Sequence, residues 1–353
     1  MPNIEILGTG MIDKRESAFP QAVQLSNGDV LCSFNVGGGH FVTGGTDWAR
    51  SCDGGYSWDL EGTILPATLR PVSTNALKLS ISSDRKVVYA YGSRSYPTDS
   101  DRFGHTKNEA VFCRSNDGGG SWSEPQVVPF QFEGSLEVSH GMLPLSSGRL
   151  LAPAATLPEG MLGEKVLAAI SDDGGSTWCS QVVIFKDPEH KRGYFEQKLA
   201  EITDGVLLAT SWTVTFGDVK DLSNSFVIST DDGINWTAPV ETGFFGQTMT
   251  PVPIEGNKML ILYNKRYGIQ AVMMALVTFT NEGWTTHFES PMWDPNTSRE
   301  KPEGEYTGVE ELKKLEFGFP TAIRLDDGTF LATHWTREGG AFGVRWTKLR
   351  VDW

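Results

Sequence analysis

Apolar and polar positions along this 353-residue chain fall into short runs, and six stretches share one plan. In each, a short apolar run ends in a polar turn rich in Ser, Asn, Asp and Gly, and a second apolar run follows at once. The first is A-F-P-Q-A-V-Q-L-S-N-G-D-V-L at 18–31; the others occupy 75–88, 140–151, 196–208, 247–260 and 318–331. Alternation with a period near two, bounded by Gly, Asn and Asp, predicts antiparallel hairpins rather than helices.

An octapeptide punctuates the first four units: S-C-D-G-G-Y-S-W at 51–58, S-N-D-G-G-G-S-W at 115–122, S-D-D-G-G-S-T-W at 171–178 and S-T-D-D-G-I-N-W at 229–236. Its tryptophans, Trp58, Trp122, Trp178 and Trp236, lie 64, 56 and 58 residues apart, so one supersecondary unit recurs at that length. Asp folds its carboxylate onto nearby backbone N–H groups, Gly supplies the reversal and Trp returns to the core, which describes a β-hairpin loop. A worn version surrounds Thr280, Asn281 and Gly283. Each unit is long enough for four strands, and six such units closed radially make an all-β, six-bladed propeller with four antiparallel strands per blade. The whole chain, 1–353, reads as one domain, with Ile4, Glu5, Ile6 and Leu7 pairing the free edge of the last blade. A right-handed β-helix or a pair of sandwiches is the competing architecture, but the octapeptides recur at the length of four strands rather than one rung.

Composition narrows the function. The 39 glycines and 11 tryptophans suit tight turns and aromatic packing between blades, and no apolar window is long enough to span a membrane. Cys32, Cys52, Cys113 and Cys179 stand singly, with no C-x-x-C spacing, and are expected to be free buried thiols. A net charge of −14 argues against nucleic acid as partner. The start, M-P-N-I-E-I-L, has neither the basic nor the apolar region of a secretory signal, so the chain as written reads as cytoplasmic, or as secreted if a leader has been trimmed. No metal-ligand spacing and no Gly-rich phosphate loop is present, so no cofactor or metal is implied.

The octapeptides and the unit plan resemble the Asp-box (BNR-repeat) sialidase superfamily of six-bladed propellers, over essentially the whole chain. The resemblance implies that the octapeptides are structural and that the active site lies at the opposite end, where inner strands begin and second strands turn into third. Phe195-Glu196 and the run to Leu208 look like the sialidase segment N-E-x-x-x-x-E-L-x-D-G-x-L-L, whose first Glu activates a tyrosine nucleophile. Elsewhere the chain departs from the pattern. Where sialidases carry R-I-P it has Ala18-Phe19-Pro20, with Arg15 three residues upstream; Trp212 holds the second arginine position; Phe319 replaces the tyrosine; and Arg266 alone matches an arginine of the triad. The recognition is therefore of a divergent member.

What remains can still cleave a glycoside. Two carboxylates facing one bond suffice, retaining configuration at about 5–5.5 Å separation and inverting it at roughly 6.5–9.5 Å. Glu196 with Glu137 is the preferred pair, and Asp47, in the loop where sialidases keep their acid/base Asp, is the fallback. His40 and His140 are candidate bases for lyase chemistry on a uronic acid. Arg15, Glu16, Arg50, Arg94, Tyr263, Arg266, His334 and Arg337 are candidate substrate ligands, with His105 in a neighbouring loop, and Trp48, Trp212 and Trp335 offer faces for sugar stacking. The expected function is an exo-acting glycoside hydrolase on a glycan or oligosaccharide, an acidic sugar included. The alternatives are a sialidase with a non-standard nucleophile, a polysaccharide lyase, or a non-catalytic glycan-binding propeller.

Overall fold

The computed structural model describes residues 1–37, 44–97, 107–218, 220–266, 268, 270–294 and 315–353. Among them there is no helix, and the strands form six small antiparallel sheets. In chain order from the axis outward, blade 1 is Ser17–Gln24, Val30–Val36, Gly45–Ser51 and Asp59–Leu65, and blade 2 is Val72–Ile81, Val88–Tyr96, Lys107–Ser115 and Gln126–Val127. Blade 3 has a broken inner strand, Leu136–Glu137 and Leu143–Pro144, followed by Leu150–Thr156, Lys165–Ser171 and Ser180–Lys186. Blade 4 is Arg192–Thr203, Val206–Thr215, Ser225–Ser229 and Val240–Glu241; blade 5 is Gln247–Glu255, Lys258–Lys265, Ala271–Thr280 and Gly283–Trp293. Blade 6 combines Phe317–Arg324, Phe330–Glu338 and Ala341–Asp352 with the N-terminal strand Asn3–Asp13, in which Ile4 pairs with Val351. These six sheets form a six-bladed β-propeller.

The core is not one mass but a set of apolar layers between neighbouring blades, with a further cluster of Ala18, Phe319, Trp335 and Phe342 near the axis. Leu31, Trp48 and Leu79 belong to the layer between blades 1 and 2, Phe112 and Leu150 to the next, and Leu331 with Cys32 and Val344 to the layer that joins blade 6 to blade 1. Two-sided burial explains why the strands read as nearly continuous apolar runs.

The octapeptides join third strands to fourth strands and latch each blade to the one before it. Asp53 accepts from the backbone of Tyr56 and Ser57 at 2.9 Å each and from Ser51 Oγ at 2.7 Å. These bonds hold its carboxyl down at about 2 against the cost of burial, which acts the other way. The same ladder recurs at Asp117, Asp173 and Asp231. A Cβ on the second glycine of the loop would stand 2.7 Å from Leu331 at Gly55, 2.9 Å from Trp48 at Gly119 and 2.8 Å from Phe112 at Gly175, in each case a side chain of the preceding blade. Glycine is required there by contact as well as by positive φ.

At the same end, Arg85 donates to both oxygens of Asp326 at 2.9 Å, tying the inner turn of blade 2 to that of blade 6. All four cysteines are free; Cys32 and Cys113 are buried as expected, whereas Cys52 and Cys179 are exposed at octapeptide loops.

Candidate active site

At the opposite end of the axis, four blades begin with the same irregularity. Strand register slips between Ala18 and Gln21, Phe195 and Lys198, Gln247 and Thr250, and Gly318 and Thr321. The residue inside each slip, Phe19, Glu196, Thr248 and Phe319, has φ of 57°, 50°, 53° and 52°. A left-handed conformation costs a non-glycine residue roughly 1–2 kcal/mol, and such bulges re-aim side chains. Here three of the four, Phe19, Glu196 and Phe319, line one cavity, while Thr248 Oγ1 donates to Glu196 Oε2.

That cavity, about 250 Å3, lies where the inner strand of blade 3 is interrupted. Glu137 and Glu196 both line it, from adjacent blades, and the Glu196 backbone N–H donates to Glu137 Oε2 at 3.1 Å. Burial, and then the neighbouring Glu196 carboxylate, push the Glu137 carboxyl above the usual carboxylate range. Ser93 and Ser95 line the wall, Asn108 binds the Leu136 backbone in both directions, accepting from Leu136 N at 3.1 Å, and Phe19 and Phe319 supply apolar faces.

Two buried lysines complete the site. Lys198, 0 % exposed, donates to Ser139 O and places Nζ 3.5 Å from the centre of the Phe319 ring. Lys78, 4 % exposed, donates to Ala76 O at 3.1 Å and Val138 O at 3.2 Å and lines the cavity. Burial lowers Lys198 to about 7 and Lys78 to about 8, with the two glutamates opposing the shift. Each lysine bridges to blade 3 from one side. At other junctions near the axis the bridge is a neutral side chain: Gln21 Nε2 to Leu79 O at 2.8 Å, Thr210 Oγ1 to Met249 O and Thr250 Oγ1 to Pro320 O at 2.6 Å each, and Thr321 Oγ1 to Pro20 O at 3.1 Å.

The remaining candidates are dispersed. His140 is buried with Nδ1 donating to Gly141 O at 2.7 Å; burial, then Lys198 and Lys78, lower it to about 3, so the ring stays neutral and makes a poor base. Arg15 is clamped by Asp13 at 2.7 Å and by Asp47 at 3.1 Å, and Asp47 also accepts from Thr63 at 2.7 Å, so both face the rim of blade 1 rather than the glutamates. Glu16 is exposed, and its carbonyl accepts from Gly37. Arg266 stacks on Phe317 at 4.3 Å with Nε toward Gln247 at 3.3 Å. Trp212 donates from Nε1 to Asp221 at 2.7 Å and packs edge-on against Phe195 at 4.6 Å, so its face is not open to a sugar.

Several sequence expectations are corrected. Arg50 bonds Asp29 at 2.9 Å and Gly118 O at 2.7 Å, a latch at the octapeptide end. Arg94 pairs with Glu109 at 2.7 Å, because strand alternation sends Ser93 and Ser95 to the cavity and Arg94 to the other face. Tyr263 donates to Glu289 in a separate groove of blade 5. His334 is 0 % exposed between blades against Trp293, and Arg337 caps Gly340 O at the outer rim. Trp48 is buried against Trp122, and Trp335 lies behind Phe19. His40 and His105 lie outside the described residues.

Lys78, Lys198, Thr248 and Asp221 are not among the residues that sequence reasoning selects. For the lysines a signal exists: superposing the inner strands sets Lys78 and Lys198 in register with Gln21, Thr250 and Thr321. Asp221, raised to about 7 chiefly by burial and then by Glu196, carries no such signal, because it sits in an irregular loop. Among the described residues no group of His, Cys, Asp or Glu is arranged to hold a metal ion.

No protein-family model matches the chain, and no curated protein sequence does. Solved structures do. A protein of unknown function from Dyadobacter fermentans superposes with a TM-score of 0.79 at 19 % identity, covering 100 % of both chains. The NanB sialidase of Streptococcus pneumoniae gives 0.66 at 12 % identity over 98 % of this chain and 70 % of its own. An α-L-arabinanase of Penicillium chrysogenum, solved with arabinobiose, gives 0.64 at 15 % identity over 98 % of each chain. By fold, then, this chain is a six-bladed propeller of the sialidase-like kind, an architecture it shares with several glycosidases.

Proposed function

We propose that the protein is an exo-acting glycoside hydrolase in which Glu137 and Glu196 act directly on the glycosidic bond. The observation that carries this reading is the convergence of both carboxylates on one small cavity at the end of the axis. Phe319 has no hydroxyl, so the relay through a tyrosine is absent, and Glu196 takes the role of nucleophile or water-activating base itself. Glu137, whose carboxyl burial and then the Glu196 carboxylate push above the usual range, is the general acid for the leaving oxygen. Thr248 donates to Glu196 and orients it, and Ser93 and Ser95 of the wall suit the hydroxyls of a terminal sugar. The arabinobiose held by the similar arabinanase is consistent with this reading.

The test is release of nitrophenol from a panel of nitrophenyl glycosides, including α-L-arabinofuranosides and sialosides, by wild type and Glu196→Gln. Release by wild type that falls about 10³-fold or more in the variant is expected. Equal rates in the two proteins would remove Glu196 from the mechanism, and no release from any member of the panel would favour a glycan-binding role.

A further inference from the structure

Lys78 has a chemistry that glycoside hydrolysis does not use. Its side chain lines the cavity wall yet is only 4 % exposed, and a second buried lysine lies nearby. At the other described junctions near the axis a neutral Gln or Thr makes the bridge between blades, so bridging by itself does not demand an amine. Lys198 fills the equivalent place on the far side of blade 3 but is fully enclosed beneath Phe319 and does not line the cavity. Of the two amines, only Lys78 meets whatever enters.

We propose that Lys78 forms an imine with the carbonyl carbon of a small hydroxylated aldehyde or ketone, such as an open-chain sugar, held beside Ser93 and Ser95. In its neutral form the amine has two N–H bonds, and the carbonyls of Ala76 and Val138 accept both, so the lone pair is the valence left for attack. The nitrogen lone pair adds to the carbonyl carbon and a proton passes from nitrogen to the new oxygen, giving a carbinolamine. The Glu137 carboxyl gives a proton to that hydroxyl, which leaves as water while the nitrogen lone pair closes the C=N bond; the protonated imine so formed returns its N–H proton to the Glu137 carboxylate, leaving the neutral imine. Amine and carbonyl give imine and water, and no oxidant or further reactant is needed.

Burial supports the nucleophile. With Lys78 lowered to about 8, its neutral fraction at pH 7 exceeds that of an ordinary lysine by roughly 300-fold. The inference goes beyond the hydrolase reading, since imine formation requires no glycosidic bond.

Glycolaldehyde with sodium cyanoborohydride at pH 7, followed by digestion and peptide mapping, tests it on the full-length protein. Lys78 is expected to be alkylated at least tenfold faster than the exposed Lys86, and the label is expected to vanish from that peptide in Lys78→Met while Lys86 still reacts. Labelling of Lys78 no faster than that of Lys86 in wild type would overturn the proposal, and this comparison stands even if the variant does not fold. Because trapping reads the amine alone, its outcome is independent of whether any glycoside is cleaved.

Discussion

Four side chains held at positive φ, Glu196 among them, meet Glu137 of the neighbouring blade and two buried lysines near the axis. Backbone strain at non-glycine residues and buried charge meet at this one cavity, the coincidence expected of a functional site. Not all buried titratable groups belong to it. His334 has no hydrogen-bond partner for either ring nitrogen among the described residues, and burial lowers it to about 3. The unfolded chain takes up a proton below about pH 6.5 while the folded protein refuses it until about 3, so His334 favours folding above pH 6.5 and that contribution is lost as pH falls. Between pH 7 and pH 5 the loss is about 2 kcal/mol. Denaturant titrations of His334→Phe are expected to show a pH 7 to pH 5 decline smaller than wild type by that amount; parallel declines would contradict the burial argument. At this scale the sequence is half legible. Glu137 and Glu196 stand out because a carboxylate before an inner strand has no role in pairing. The lysines do not, because a Lys in an apolar run is ordinarily read as a solvated edge residue.

The repeating element is the octapeptide loop, whose spacing gives the length of a four-stranded unit, while the six apolar openings give their number. What spacing does not convey is that each loop is fitted to the preceding blade. Gly119 has φ +96° and touches the Trp48 ring, whereas Gly28, with φ +91°, has open space around its missing Cβ. Both substitutions to Ala strain the backbone, but only the first also forces a core side chain to move. Gly119→Ala is expected to cost about 2–3 kcal/mol in urea unfolding and Gly28→Ala about 1 kcal/mol. Equal costs at the two sites would show that the contact with blade 1 does not matter. The interrupted inner strand of blade 3 is equally hidden in the sequence. Its unit opens with H-G-M-L-P-L, which reads like the others, yet only Leu143–Pro144 and Leu136–Glu137 pair, and the cavity occupies the resulting gap.

For the whole molecule, closure depends on the pairing of Asn3–Asp13 with Ala341–Asp352 and on Ile4 in the layer between blades 5 and 6. The alternation of Ile4, Glu5 and Ile6 makes this partner readable from sequence. Deletion of residues 1–13 exposes a strand edge and removes Ile4, and is expected to lower Tm by roughly 5–10 °C and to promote self-association in size-exclusion chromatography. An unchanged Tm and a monomeric profile would contradict that role. Glu137 and Glu196 come from blades 3 and 4, which pack directly on one another, and the paired carboxylates are the centre of the account. The most direct measurement is the rate of Glu137→Gln on two glycosides of one sugar, one with a dinitrophenol and one with an alkyl alcohol as leaving group. As the general acid, Glu137 matters only where the leaving oxygen needs a proton, so the variant should lose about 10²-fold or more on the alkyl glycoside and little on the dinitrophenyl one. Equal losses on both would contradict an acid at Glu137 and, with it, the division of labour between the two carboxylates.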